Sequence, residues 1–144
     1  MTVRALQEAF VRVLMEQACF EQVRVRAVVE VAGVGIGTFY DYFSNLQALA
    51  ASAIGQRSQQ MSVRLRQTIE RHHGEPWMDM INALLDDQID VVLKNPKEIA
   101  GLLLIERQVF DLGSHQLFHR AFKNTWQEAL QSCGVDDPVR TSHT

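Results

Sequence analysis

Apolar residues recur along this chain at helical spacing, and the breaks between apolar stretches are few. Between residues 3 and 18 they fall at Val3, Leu6, Phe10, Val13, Leu14 and Ala18, with Arg4, Gln7, Glu8, Arg12 and Glu16 mostly opposite. That pattern predicts an amphipathic helix. A short helix is predicted from Val25 to Ala32 and ended by Gly33, because glycine enters a left-handed cap without steric cost. Another follows from Ile36 to Tyr42, with Gly35 as a permissive N-cap. Ser44 and Gln47 have the spacing of a capping box, so a long helix is expected to begin at Ser44. Nothing breaks it before Gly74. Pro76 suits the first turn of a helix ending near Lys94, and Asn95-Pro96-Lys97-Glu98 sets up the next. Gly113-Ser114 marks a further break, followed by a helix reaching Cys133 and closed by Gly134. Asp137-Pro138 looks like the first turn of one more.

Composition agrees with an all-α fold. The 144 residues contain 8 Gly and 3 Pro, placed between long stretches that lack both. With 47% apolar and 22% charged residues, the chain can bury a core and is not disordered. Its two cysteines, Cys19 and Cys133, are far apart and form no CxxC, which points to a reducing cytoplasm and away from disulfides or a cysteine-based zinc site. The apolar run Ile99 to Ile105 is far short of a membrane span, and charges punctuate the N-terminus where a signal peptide would be apolar. A net charge of −3 excludes a globally basic nucleic-acid binder, though not a local basic face.

Two short helices joined at Gly33-Val34 suggest a helix-turn-helix, in which the second helix enters the DNA major groove and the first braces it. Val25, Val28 and Val29 would face Phe10, Leu14 and Phe20. The segment from Arg26 to Leu49 resembles the DNA-binding domain of the tetracycline-repressor (TetR) family. The resemblance spans about residues 6 to 50. Its strongest part is Ala32-Gly33-Val34, then Gly37-Thr38-Phe39-Tyr40, Tyr42-Phe43 and Ala48-Leu49. It implies a three-helix head, residues 1–50, joined by a long helix to a helical ligand-binding bundle, residues 51–144. It also implies a cytoplasmic, ligand-responsive transcriptional regulator, usually a repressor, with operator DNA, a small-molecule effector and a second copy of the chain as partners. By this reading the DNA contacts come from Arg24, Arg26, Gly35, Ile36, Gly37, Thr38, Tyr40, Asp41, Tyr42 and Asn45, while Phe39 and Phe43 anchor the recognition helix.

This sequence departs from the family where phosphates are usually held. Family members often carry Ser at the position of Gly35, Lys or Arg at that of Ile36, and Lys at that of Leu46. Residues 1–55 hold four Arg, no Lys and five acids, a net of −1. Phosphate neutralisation supplies much of DNA affinity, so weak binding with a shallow salt slope is expected. The competing reading is a ligand-sensing or protein-interaction module with weakened or lost DNA binding. Against the family the chain also looks short, without a basic arm before the first helix or the two helices that usually form the dimer. Residues 1–71 carry a net of +2 and residues 72–144 a net of −5, which would orient the head toward DNA.

The effector pocket implied by the resemblance draws on Met61, Leu65, Trp77, Met80, Ile81, Leu84, Gln88, Leu103, Arg107, Phe110, Phe118, Phe122 and Trp126, most of them apolar or thioether side chains that suit an adaptable cavity. Polar members such as Gln88 are informative, because burying them requires a partner. His115 and His119 have i, i+4 spacing with Asp111 before them, but Gly113 interrupts the register, so no metal site is expected. No phosphate-cradling loop or Ser-His-Asp set is present. The chain reads as a non-enzyme without a cofactor.

Overall fold

A computed structural model describes residues 1–17, 19–109, 120 and 123–131. Its helices are α1 (Thr2–Gln17), α2 (Val25–Ala32), α3 (Ile36–Tyr42), α4 (Leu46–Arg71), α5 (Trp77–Lys94) and α6 (Pro96–Val109). A single 3₁₀ turn, Phe20–Gln22, joins α1 to α2, and residues 123–131 are also helical. The described residues contain no strand. The fold is all-α, as the periodicity predicts. The regions around His115, His119 and Asp111, and Cys133 to Thr144, lie outside the described residues.

Gly33 ends α2 in the left-handed conformation, at φ 72° and ψ 30°. Its N–H donates to the Glu30 carbonyl at 3.3 Å, and the Val34 N–H donates to the Val29 carbonyl at 3.1 Å. This is a complete Schellman motif, with Val34 packed against the core behind it. The start of α4 differs from expectation. Asn45, rather than Ser44, caps it: the Asn45 Oδ1 accepts from the Ala48 N–H at 2.8 Å. Both residue types can cap, and the backbone turn places Asn45 three residues before a free N–H while leaving Ser44 outside the helix. The 3₁₀ turn was not signalled by spacing, because three residues are too few to show a period.

The chain divides into two compact units. The first contains residues 1–57 together with α6. Its core gathers Leu6, Ala9, Phe10, Val13 and Leu14 of α1, Val28 and Val29 of α2, Phe39 of α3, Leu49, Ala50 and Ala53 of α4, and Leu102 and Ile105 of α6. Gly101 of α6 lies over Leu14 of α1, where a Cβ would sit 3.5 Å from Leu14 Cδ2, an ordinary van der Waals contact. Phe10 meets Phe20 edge-on with ring centres 6.1 Å apart.

Arg57 of α4 fastens the same three helices at the rim of that core. Its Nε donates to Glu98 Oε1 on α6 at 2.6 Å, and its Nη1 and Nη2 reach Glu8 Oε1 and Oε2 on α1 at 3.1 and 3.2 Å. Burial works against the guanidinium's charge. The hydrogen bond to Glu8 and the attraction of Glu98 and Glu8 outweigh it, so the Arg57 pKa stands above the ordinary arginine value.

The second unit contains residues 58–94 and the described residues beyond 112. Leu65, Met80, Leu84 and Ala129 are buried in it, with Met61, Ile69 and Trp126 packed around them. A polar network lies along the α4–α5 seam. The Arg64 guanidinium donates to Asp87 Oδ1 at 3.2 Å and to Asp90 Oδ2 at 2.8 Å. The buried Thr68 hydroxyl bonds to Asp87 Oδ2 and to the Arg64 carbonyl. Lys94 Nζ lies 3.0 Å from Asp90.

Candidate nucleic-acid interface

The third helix is two-faced over only seven residues. Phe39 is fully buried, meets Phe43 with ring centres 6.0 Å apart, and takes the Tyr40 ring edge-on at 5.0 Å. On the other side Ile36, Tyr40 and Tyr42 keep 51%, 56% and 53% of their surface in water. Gly35, Gly37 and Asp41 are exposed as well, and Thr38 is half-buried. A Cβ added at Gly37 would meet nothing within 4 Å, so this glycine is not needed for packing within the chain. It leaves a shallow place on the outward face where another backbone can approach.

A helix whose buried side holds one large aromatic and whose outer side presents two tyrosines is costly for a chain acting alone. The bracing arrangement explains how it is held. Val28 and Val29 of α2 pack beside α1, and the Schellman turn fixes the angle at which α3 leaves α2. The geometry is that of a helix-turn-helix with α3 as the presented helix.

Residues 12–53 match the family model described as bacterial regulatory proteins, tetR family. The chain carries a tetR-family DNA-binding domain. The matched stretch begins within α1 and ends within the first turns of α4, so it takes in the whole helix-turn-helix and its Schellman turn. The match supports a DNA-binding transcriptional regulator of the TetR type, and it covers less than a third of the chain. No curated protein matches the chain.

Within the TetR-type head, the basic side chains sit beside α3 rather than on it. Arg24 and Arg26 are exposed at the start of α2. Arg24 is partly tethered, its Nη1 donating to the Glu21 carbonyl at 2.8 Å. Cys19 Sγ donates to Glu21 Oε2 at 2.5 Å, and this bond, helped by a backbone one, holds the Glu21 carboxyl below its usual range. Asn45 is exposed, but its carbonyl oxygen is committed to the α4 cap, which leaves its amide nitrogen as the group turned outward.

The sequence-derived pocket residues separate into two sets. Met61, Leu65, Met80, Leu84 and Trp126 come together in the second unit, where Ile81 and Gln88 are half-buried. Trp77 is nearly half exposed. Leu103 and Arg107 belong to α6, in the first unit, and both are exposed there. Phe110, Phe118 and Phe122 lie outside the described residues. Periodicity alone places an apolar face on α6 but does not say which neighbour it meets, and Arg57 as the tie between α1, α4 and α6 gave no signal in spacing. Among the described residues no cluster of three His, Cys, Asp or Glu is arranged to hold a metal ion, and no helix is long and apolar enough to cross a membrane.

Proposed function

We propose that the chain is a ligand-responsive repressor that binds operator DNA as a homodimer. In this reading α3 enters the major groove. Thr38, Tyr40 and Tyr42 contact phosphates or base edges, Gly35, Ile36, Gly37 and Asp41 line the approach, and Arg24, Arg26 and Asn45 hold the flanking backbone. The observation that supports it most is the outward aromatic face of α3 against the buried Phe39. One short helix reads only a half-site, so two heads are required, spaced by about one helical turn of DNA, roughly 34 Å. A small molecule in the second unit would favour a spacing that no longer matches adjacent grooves.

The test is a salt-titrated gel shift against the duplex upstream of the chain's own gene. Wild type should shift at low salt with a shallow salt slope. Tyr40→Ala or Thr38→Ala should weaken binding about tenfold, the scale of one lost groove contact. A folded dimer that gives no shift at low salt would remove the repressor reading. It would favour the second one, a ligand-sensing or interaction module that has lost DNA binding. That alternative draws support from α3 itself, which carries Asp41 and no Lys or Arg.

A further inference from the structure

Helix α5 has a second apolar face besides the one that builds the second unit's core. Met80 and Leu84 turn inward, and Asp87 is bonded to Thr68 and Arg64 of α4, which fixes the rotation of α5 about its axis. Gln88 borders that inward side; its Nε2 is out of contact with water and has no hydrogen-bond partner among the described residues. On the outward side Met78, Leu85, Ile89 and Val92 keep 52%, 43%, 54% and 46% of their surface in water, and Asn82 is exposed between them. A row of large, half-exposed apolar side chains along one helix marks a contact surface.

The spacing gives that surface a type. Met78, Asn82, Leu85, Ile89 and Val92 are separated by four, three, four and three residues, the alternation of a coiled-coil seam. Met78, Leu85 and Val92 take the d positions, and Asn82 and Ile89 the a positions. Isoleucine at a with leucine at d favours two strands, and a single asparagine at a fixes the register. An unlike apolar helix laid on this seam would leave the Asn82 amide unmet. A second copy of α5 brings an asparagine of its own, with both a donor and an acceptor to offer.

Charge chooses the direction. Asp79 and Asp86 flank the seam, each one residue after a d position. Either antiparallel register sets Asp79 or Asp86 against the partner's Asp86, a like-charge contact that disfavours the pairing. In the parallel register Asp86 flanks the partner's Ile81 instead, and the exposed Leu93 widens the apolar seam. The helix is already formed and held against α4, so pairing does not have to meet the cost of ordering it.

We propose that the outward face of α5 pairs with α5 of a second copy, parallel and in register, with Asn82 meeting the partner's Asn82. The proposal rests on the homodimer reading above and gives it a surface.

The test uses the full chain in sedimentation equilibrium, with circular dichroism as the check on folding. Wild type should be a dimer. Asn82→Lys exchanges one exposed polar side chain for another, so the monomer keeps its fold. It should raise the dimer Kd at least about a hundredfold by setting two ammonium groups against each other. Ile89→Glu should act in the same direction. Register is read by Asn82→Cys in a chain that also carries Cys19→Ser and Cys133→Ser. Mild oxidation should link it into a covalent dimer, because parallel pairing brings the two thiols within disulfide reach. Asp86→Cys in the same background should link far more slowly. A wild-type dimer unchanged by either Asn82→Lys or Ile89→Glu would overturn the proposal and leave the homodimer standing on another surface. No link at position 82, or a faster one at position 86, would overturn the parallel register. A wild-type monomer would overturn both the proposal and the homodimer reading. A dimer that responds as expected but gives no gel shift keeps the interface and defeats the repressor reading.

Discussion

The first unit closes on aliphatic and aromatic side chains drawn from five helices, with its one bridging arginine at the rim. The second, among the described residues, has four buried apolar side chains, two of its surrounding positions are Met61 and Trp126, and a polar network runs along its seam. A densely packed apolar core resists deformation. A core built partly on methionine, with a polar donor left unmet, can adopt more than one arrangement at small cost. The contrast fits the proposed ligand-responsive reading, in which one part holds a shape for DNA and the other adapts.

The chain supplies its own reporters for this comparison. Both tyrosines, Tyr40 and Tyr42, lie in the first unit, and both tryptophans, Trp77 and Trp126, in the second. The sharpest test is Phe10→Ala, which should destabilise the first unit by about 3–5 kcal/mol in denaturant-melting experiments. Leu84→Ala should cost the second unit less, about 2–3 kcal/mol, because truncating a leucine removes less buried apolar volume than truncating a phenylalanine. Equal losses would erase the distinction between the units. Arg57→Met removes the tie among α1, α4 and α6 and should cost about 1–3 kcal/mol, detected as faster amide exchange in α6. Unchanged exchange would mean that Leu102 and Ile105 hold α6 unaided.

Smaller effects probe the local turns. Gly33→Ala should cost about 1–2 kcal/mol through the left-handed backbone alone, since nothing lies within 4 Å of the added methyl. Asn45→Ala should cost about 1 kcal/mol, whereas Ser44→Ala should be neutral; the reverse would restore the capping box to Ser44. The smallest effect concerns acid. Hydrogen bonds from Arg64 and then Lys94 hold the Asp90 carboxyl below its usual range. A carboxylate with a depressed folded-state pKa stabilises above its unfolded value, and the contribution disappears as pH falls through the folded one. Asp90→Asn should therefore flatten part of the tryptophan-detected change below about pH 4. An unaltered acid limb would place that sensitivity elsewhere.

Much of the first unit was legible because its signals are local. Val25 to Ala32, Gly33, and Ile36 to Tyr42 appear in the structure with the bounds that the spacing predicts, since a left-handed glycine cap and a two-faced helix both leave marks within a few residues. At Ser44-Asn45 two good caps stand side by side, and only the backbone geometry chooses between them. The docking of α6 through Leu102, Ile105 and Glu98 was not legible at all, because its partners Leu14 and Arg57 lie far back in the chain. In the candidate site, the outward position of Ile36, Tyr40 and Tyr42 followed from helical phase against Phe39. The commitment of the Asn45 oxygen, and the unmet donor of Gln88, depend on local geometry and tertiary packing that residue spacing does not encode.

The placement of α6 bears on how the molecule is made. The polypeptide leaves the first unit after residue 57, builds α5 in the second, and returns to the first with α6. A head emerging from the ribosome would therefore wait for Leu102 and Ile105 before its core is sealed, with the apolar side of α1 held open while the intervening residues are translated. The same interleaving means that cutting the chain at the end of the helix-turn-helix removes part of the head's own interior. The DNA-binding part is thus contiguous as a motif but not as a folding unit.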